Sequence, residues 1–116
     1  MRILIIDDEP MLAAALQRVL ARASCDSVFV TSGRAGLEAV LADEPDLILC
    51  DLGLPDLPGL GLLEALELQR PELIPRLIFM TGGAPSAREA AAIARHGLVV
   101  LEKPFSPAEL LALVAR

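Results

Sequence analysis

The stretch that decides the fold lies near the start of the chain, where residues 2–9 read RILIIDDE. Its four consecutive apolar residues, Ile3–Ile6, do not alternate with polar residues. Such a run is typical of a strand in a parallel sheet, because helices cover both faces of that sheet. Residues 47–49, LIL, repeat the pattern. The sequence therefore predicts a parallel sheet between two layers of helices.

Outward from this stretch, short apolar runs alternate with longer segments of helical period, and turn residues separate them. The predicted strands are Arg2–Ile6, Cys25–Val30, Asp46–Cys50, Arg76–Met80 and Leu98–Leu101. The predicted helices are Pro10–Ala23, Arg34–Ala42, Leu60–Gln69, Ser86–Arg95 and Pro107–Ala115. These five βα units indicate a doubly wound α/β sandwich of three layers. No linker, repeat or low-complexity tract interrupts them, so we expect one domain over residues 1–116.

The composition narrows the classes of function. A chain of 116 residues with 54% hydrophobic content can bury one core. No apolar run reaches the roughly 18–20 residues that span a bilayer, so we expect a soluble, cytoplasmic protein without a membrane partner. A net charge of −6 argues against direct binding of nucleic acid, which needs clustered Lys and Arg. Cys25 and Cys50 lack the spacing of a metal or redox motif and are expected to be reduced core residues.

Charged and hydroxyl side chains follow four of the predicted strands. They are Asp7, Asp8 and Glu9 after the first strand, Asp51 after the third, Thr81 after the fourth and Lys103 after the fifth. We expect these side chains to converge, because a ligand site in such a sheet lies beyond the carboxyl ends of the strands. Lys103 is the only lysine beside nine arginines. A single retained lysine indicates a position that needs a compact ammonium group.

The clustered carboxylates predict a metal ion, since like charges placed together are unfavourable unless a cation offsets them. Mg²⁺ fits, because it prefers oxygen ligands and usually takes one or two protein carboxylates. An ionised carboxylate such as Asp51 can attack phosphorus and form an acyl phosphate. Thr81 and Lys103 could then stabilise charge on the phosphoryl oxygens. The cluster therefore predicts phosphoryl transfer to an aspartate.

Four motifs, in this order, resemble the receiver domain of bacterial two-component response regulators along the whole chain. They are the acidic triplet at 7–9, DLGLP at 51–55 with Gly59, Thr81 before small residues, and KPF at 103–105. The resemblance implies a flavodoxin-like strand order, 2-1-3-4-5, and a cis peptide bond between Lys103 and Pro104.

The resemblance also implies a role for each site residue. Asp51 would be the phosphoacceptor, and Thr81 would bind a phosphoryl oxygen. Asp8, Asp51 and the backbone carbonyl of Gly53 would bind Mg²⁺, or another divalent cation such as Mn²⁺, with Asp7 acting through water. Lys103 would pair with Asp51 and then with the phosphate.

Partners follow from the same family. A phosphohistidine on a cognate sensor histidine kinase or a histidine phosphotransfer protein would donate the phosphoryl group, and the domain would catalyse both transfer and dephosphorylation. The fourth helix, fifth strand and fifth helix would offer a face for a homodimer. Residues 79–84 and 102–105 resemble receivers at the C-terminal end of hybrid sensor histidine kinases. The isolated domain is not expected to be a conventional enzyme, although such a hybrid kinase would be a phosphotransferase.

One position departs from the family pattern. Receivers usually carry Tyr or Phe three residues before the lysine, and this chain has Val100 there. The usual aromatic response to phosphorylation is therefore not expected at this position.

Simpler interpretations exist for single residues. The acidic triplet before Pro10 also fits the positive end of a helix, and Asp51 also fits an ordinary turn. His96, before Gly97, fits the end of a helix rather than a phosphodonor.

Three other functions were weighed against the receiver. A phosphatase of the haloacid dehalogenase type would need a second aspartate where this chain has Gly53. A flavodoxin-like electron carrier would need a loop rich in Ser, Thr and Gly after the first strand, which here carries three acidic residues. The remaining alternative is a pseudo-receiver that is not phosphorylated and only binds partners.

Overall fold

The computed structural model describes residues 1–115, which form one five-stranded parallel sheet with helices on both faces. The strands are β1 (Arg2–Ile6), β2 (Asp26–Val30), β3 (Leu47–Asp51), β4 (Leu77–Thr81) and β5 (Val99–Glu102). The α-helices are α1 (Pro10–Arg22), α2 (Gly33–Asp43), α3 (Gly59–Gln69), α4 (Ala87–His96) and α5 (Pro107–Val114). All strand pairs are parallel, in the order β2-β1-β3-β4-β5. The predicted doubly wound α/β fold with order 2-1-3-4-5 is confirmed.

The core consists of two apolar clusters, one on each face of the sheet. Ile3 and Ile5 of β1 belong to the cluster under α1 and α5, whereas Leu4 and Ile6 belong to the cluster under α2, α3 and α4. Successive strand residues thus face opposite layers, which explains why the strand sequence is apolar without alternation. Each buried Leu or Ile side chain contributes about 1.5–3 kcal/mol relative to an exposed one.

The observed boundaries differ from the predicted ones by one residue at most, and the difference matters at the strand ends. β3 ends on Asp51 and β4 ends on Thr81, whereas both residues were predicted to follow their strands. Sheet-like backbone bonds continue to this edge, with Leu52 N 2.9 Å from Met80 O and Lys103 N 2.7 Å from Thr81 O. Asp51 and Thr81 are therefore fixed by the sheet rather than carried on loops.

The sequence did not predict the 3₁₀ helix at Pro71–Arg76, between α3 and β4. Pro71 and Pro75 obscure any helical period in this short segment. Leu73 and Ile74 are nevertheless buried in the core cluster under α2, α3 and α4. The segment therefore packs on that cluster just before β4 begins.

Helix α4 begins and ends with standard capping geometry. Ser86 and Glu89 form a reciprocal capping box at its start, and Gly97 adopts a left-handed conformation, with φ of +64°, after His96. A residue with positive φ favours glycine, which explains the termination at this point. The interpretation of His96 as the end of a helix is confirmed. None of the helices in residues 1–115 is long and apolar enough to cross a bilayer.

The two cysteines are free thiols in different environments. Cys50 is fully buried in β3, as predicted, and burial raises the pKa of its thiol, with the charges of Asp51 and Asp7 acting in the same direction. Cys25 is only half-buried at the edge of the cluster under α1 and α5, so the prediction of a core residue holds there only in part.

Candidate functional site

Three carboxylates meet at the carboxyl end of the sheet. Asp7 and Asp8 follow β1, and Asp51 is the last residue of the adjacent strand β3. One ligand oxygen from each of the three lies within 4.8 Å of the other two. Asp7 is fully buried, Asp51 is half-buried and Asp8 is exposed. The predicted acidic cluster is therefore present, open to solvent on one side.

Asp7 is fully buried, and hydrogen bonds hold its side chain in place. Its Oδ1 accepts a hydrogen bond from Glu9 N at 2.8 Å, and its Oδ2 accepts one from Lys103 Nζ at 2.8 Å. Its own backbone N–H donates to Val30 O at 3.1 Å. Both carboxylate oxygens are thus paired, as a buried charge requires.

Lys103 lies at the centre of the cluster. Its ammonium is 2.8 Å from Asp7 Oδ2, 3.3 Å from Asp51 Oδ2 and 4.0 Å from Glu9 Oε1, and its side chain is 15% exposed. The Lys103–Pro104 peptide bond is cis, as the family resemblance implied. Burial alone would lower the pKa of Lys103, but the hydrogen bond and charge of Asp7, followed by those of Asp51, raise it above its ordinary value. The lysine is therefore a permanent cation at neutral pH.

The raised pKa of Lys103 predicts how this pair contributes to stability at alkaline pH. The ion pair of Lys103 with Asp7 makes its full contribution to stability below the unfolded-state pKa of lysine, about 10.4. It loses this contribution as pH rises through the higher folded-state pKa of Lys103. We expect the difference in free energy of unfolding between wild type and Lys103→Met to stay constant from about pH 7 to 9 and to shrink above about 10.4. Urea unfolding across this range measures it. A difference that already shrinks below pH 9 would contradict the assignment.

Thr81 ends the next strand, β4, and its side chain is turned toward its own loop. The hydroxyl Oγ1 donates to Gly83 O at 2.8 Å and accepts from Gly83 N at 3.3 Å. Gly82 and Gly83 are exposed, and a Cβ at either position would meet no atom within 4 Å. The loop after Thr81 therefore has open space around it.

The loop after Asp51, residues 52–58, forms the remaining wall of the site. Gly53 N donates to Asp51 Oδ1 at 2.9 Å, so the loop also orients the carboxylate that precedes it. Leu52 and Leu54 are buried and anchor the loop in the core on both sides of Gly53. Gly53 itself is exposed.

The loop also contains a residue that sequence reasoning missed. The exposed carboxylate of Asp56 accepts from Gly33 N at 2.9 Å and from Arg34 N at 3.0 Å, at the first turn of α2. These bonds lower the pKa of Asp56, the bond from Gly33 being the largest cause. Asp in a loop rich in Pro and Gly signals a turn, but nothing in the sequence points to α2.

Val100 lies in β5, half-buried against the core cluster under α2, α3 and α4. A valine at this position packs into the sheet but has no ring that could reorient between the interior and the surface. At this position the chain therefore lacks the aromatic ring that receivers usually carry.

Comparison with known proteins identifies the family of the chain. The family model for the response regulator receiver domain matches residues 3–115. The chain belongs to the response regulator receiver domain family. The receiver fold is also found in a CheY-like receiver domain protein from Methanospirillum hungatei JF-1, with a TM-score of 0.87, 28% identity, and 98% and 90% of the two chains covered. The receiver domain of a histidine kinase from Syntrophus aciditrophicus gives a TM-score of 0.84 at 27% identity over 99% and 87% of the chains.

Curated relatives of this receiver are longer proteins. It is 32% identical over 112 residues to the DNA-binding transcriptional regulator NtrC of Escherichia coli K12, covering 97% of this chain and 24% of that protein. It is 31% identical to the transcriptional regulatory protein KdpE of Mycobacterium tuberculosis H37Rv, covering 95% of this chain and 47% of that protein. The chain thus spans about a quarter to half of these relatives.

Proposed function

We propose that this receiver accepts a phosphoryl group on Asp51 from a phosphohistidine and later releases it as inorganic phosphate. The observation that carries the proposal is the placement of Lys103 Nζ between Asp7 and Asp51, at 2.8 and 3.3 Å. The ammonium pairs with the half-buried Asp51 carboxylate, and it is already positioned to attract an incoming phosphoryl group. The phosphodonor would be a sensor histidine kinase or a histidine phosphotransfer protein.

The donor set at this edge fits a hard divalent cation. Within residues 1–115, the three carboxylates of the cluster face one ammonium, that of Lys103, so carboxylates outnumber cations by two at this site. Asp8, Asp51 and the backbone carbonyl of Gly53 would hold Mg²⁺ or Mn²⁺, with Asp7 contributing through water. When bound, the cation would supply positive charge that offsets the carboxylates and the phosphoryl oxygens.

In the proposed transfer, an oxygen of Asp51 forms a bond to phosphorus while the bond between phosphorus and the donor's histidine nitrogen breaks. That nitrogen keeps the electron pair. Lys103 would move its hydrogen bond from Asp51 to a phosphoryl oxygen, and Thr81 would exchange its bond to Gly83 O for another such oxygen. Water later attacks phosphorus, the carboxylate of Asp51 leaves with the electrons of the broken bond, and the protons of that water end on the phosphate and in the solvent. Catalysis then rests on positioning and charge, as in other phosphoryl transfers.

Intact-mass spectrometry with acetyl phosphate and Mg²⁺ tests this function. Wild type is expected to gain one phosphoryl group, and Asp51→Asn is expected to gain none. Asp46→Asn is the matched control, because it removes the same charge from an exposed aspartate at the opposite end of β3. A mass gain that persists in Asp51→Asn would refute the assignment. Absence of a gain in wild type, together with no binding of beryllofluoride, would favour the pseudo-receiver.

The same proposal covers the bounds of the domain, its location in the cell, its pathway and its dimer face. We propose one receiver domain over residues 1–116, acting in the cytoplasm as part of a two-component or phosphorelay pathway. The surface of α4, β5 and α5 is the face proposed for a homodimer. In a hybrid histidine kinase this receiver would take its phosphoryl group within the same protein, and in a regulator it would take it from a separate kinase.

A further inference from the structure

The first turn of α2 is capped by a loop from elsewhere in the chain. Ala35 N, the third backbone donor of the helix, bonds the side chain of Ser32 at 3.1 Å, which is an ordinary N-cap. The first two donors, Gly33 N and Arg34 N, instead bond the two carboxylate oxygens of Asp56. A carboxylate suits this place because the N-terminal end of a helix carries partial positive charge. Asp56 thus joins the start of α2 to the loop that follows Asp51.

Packing joins the same two segments independently of these hydrogen bonds. Gly33 is buried, and a Cβ built on it would lie 2.2 Å from Leu57 O and 2.7 Å from Leu57 Cβ. Such distances show that the backbone of the loop lies directly on the helix start, where only glycine fits. The two contacts involve adjacent loop residues, 56 and 57, and together they form one latch between α2 and the loop.

The latch holds the C-terminal end of the loop at residues 52–58, and other bonds hold its N-terminal end, next to Asp51. On the near side, Leu52 N bonds Met80 O at 2.9 Å and Gly53 N bonds Asp51 Oδ1 at 2.9 Å. Beyond Gly53, buried Leu54 and then Asp56 hold the chain before Gly59 N returns to Leu52 O at 3.1 Å. The position of Gly53 relative to Asp51 therefore depends on both ends of the loop.

The geometry assigns Asp56 the role of a positioning residue that holds the loop of Gly53 against α2 and so sets the affinity of the acidic cluster for a divalent cation. This role rests on the proposed function, because it takes the Gly53 carbonyl as a ligand. Residues that orient metal ligands directly typically change affinity 10- to 100-fold when removed. Asp56 acts three residues away and is exposed, so a smaller effect, at least about threefold, is expected.

Calorimetric titration of the full chain with Mg²⁺ alone tests the role. Asp56→Ala is expected to raise the Kd for Mg²⁺ at least about threefold, and Asp56→Asn, which keeps one acceptor oxygen, less. Asp46→Ala is the matched control, since exposed Asp46 also accepts a backbone bond, from Arg2 N at 2.7 Å, but at the opposite edge of the sheet. Gly33→Ala leaves the charge unchanged and presses on Leu57, and it is expected to weaken Mg²⁺ binding in the same direction. Equal Kd values for Asp56→Ala and Asp46→Ala would overturn the assignment.

A second measurement separates positioning from simple helix capping and from failure of the proposed function. NMR order parameters of the metal-free protein are expected to fall at Gly53 in Asp56→Ala but not in Asp46→Ala. Loss of order at Gly33 and Arg34 alone would show a capping role only and would overturn the proposal. This readout needs neither metal nor phosphodonor, so it decides the role of Asp56 even if wild type accepts no phosphoryl group.

Discussion

Replacing Lys103 by alanine is expected to slow phosphorylation of the receiver by at least about 100-fold, the usual cost of removing one group that stabilises charge in a transition state. The ammonium is the only cation bonded to Asp7 and Asp51 among the described residues. Without it, charge on the transferring phosphoryl oxygens loses the cation that the described structure holds beside Asp51. The initial rate of mass gain with acetyl phosphate and Mg²⁺ measures this effect.

The same substitution is expected to change cation binding in the opposite direction. Repulsion between a unit charge and a divalent cation is about 2 kcal/mol at about 4 Å even in water and falls with distance, so removal of the ammonium should tighten Mg²⁺ binding by about fivefold or more. Metal-free Lys103→Ala should also unfold more easily, by up to about 3 kcal/mol, because Asp7 is left buried without its partner. Tighter metal binding together with slower transfer would show that only the catalytic charge is lost, because a damaged site would bind the metal more weakly.

Two control variants test whether the effect comes from the position and shape of the Lys103 ammonium. Arg88→Ala removes one positive charge from an exposed ion pair with Glu64, and it is expected to leave transfer and Mg²⁺ binding unchanged. Lys103→Arg keeps the charge but replaces a compact ammonium by a wider planar group, so it should fold normally and transfer more slowly than wild type. Wild-type rates in Lys103→Ala would contradict the role given to this residue.

Replacing Asp8 by alanine is expected to weaken Mg²⁺ binding at least about tenfold, because loss of a proposed direct ligand should cost no less than loss of the outer residues that orient ligands. Asp8 is exposed and stands in a cluster with excess negative charge. Its removal relieves repulsion, so the free energy of unfolding without metal should stay within about 0.5 kcal/mol of wild type or rise slightly. Calorimetric titration and urea unfolding measure the two effects.

Glu38→Ala is the charge-matched control for Asp8→Ala, because Glu38 is exposed on α2. It should alter Mg²⁺ binding little, since exposed charges far apart are screened by salt. Clear destabilisation of metal-free Asp8→Ala would show that Asp8 is structural, as the simpler reading of the acidic triplet as a helix cap would require.

Most of the fold could be predicted because its signals are local. The apolar run Ile3–Ile6 identifies a strand buried on both faces, and each helix has its own period and end signals, such as Gly97 after α4. The convergence of Asp7, Asp51 and Lys103 also followed, since parallel strands bring their carboxyl ends to one edge. The strand ends were misplaced by one residue because hydrogen bonding of the sheet, and not composition, carries β3 to Asp51.

The features that sequence reasoning missed depend on contacts between distant segments. Asp56 lies 23 residues from Gly33, and nothing in a Pro- and Gly-rich loop indicates that its carboxylate caps α2. The bond from the hydroxyl of Thr81 to Gly83 O was likewise not indicated by the sequence, and the binding of a phosphoryl oxygen by Thr81 stays a prediction. Such details depend on which side-chain arrangement the packed loops select, so they needed the three-dimensional structure.

The central claim is that one particular carboxylate in a cluster of three accepts the phosphoryl group. Borohydride reduces an aspartyl phosphate to homoserine, so treatment of the phosphorylated receiver followed by peptide mapping identifies the acceptor directly. We predict homoserine at position 51 alone, formed only when Mg²⁺ and phosphodonor are both present. Homoserine at position 7 or 8, or phosphorylated protein that yields none, would contradict the assignment of Asp51.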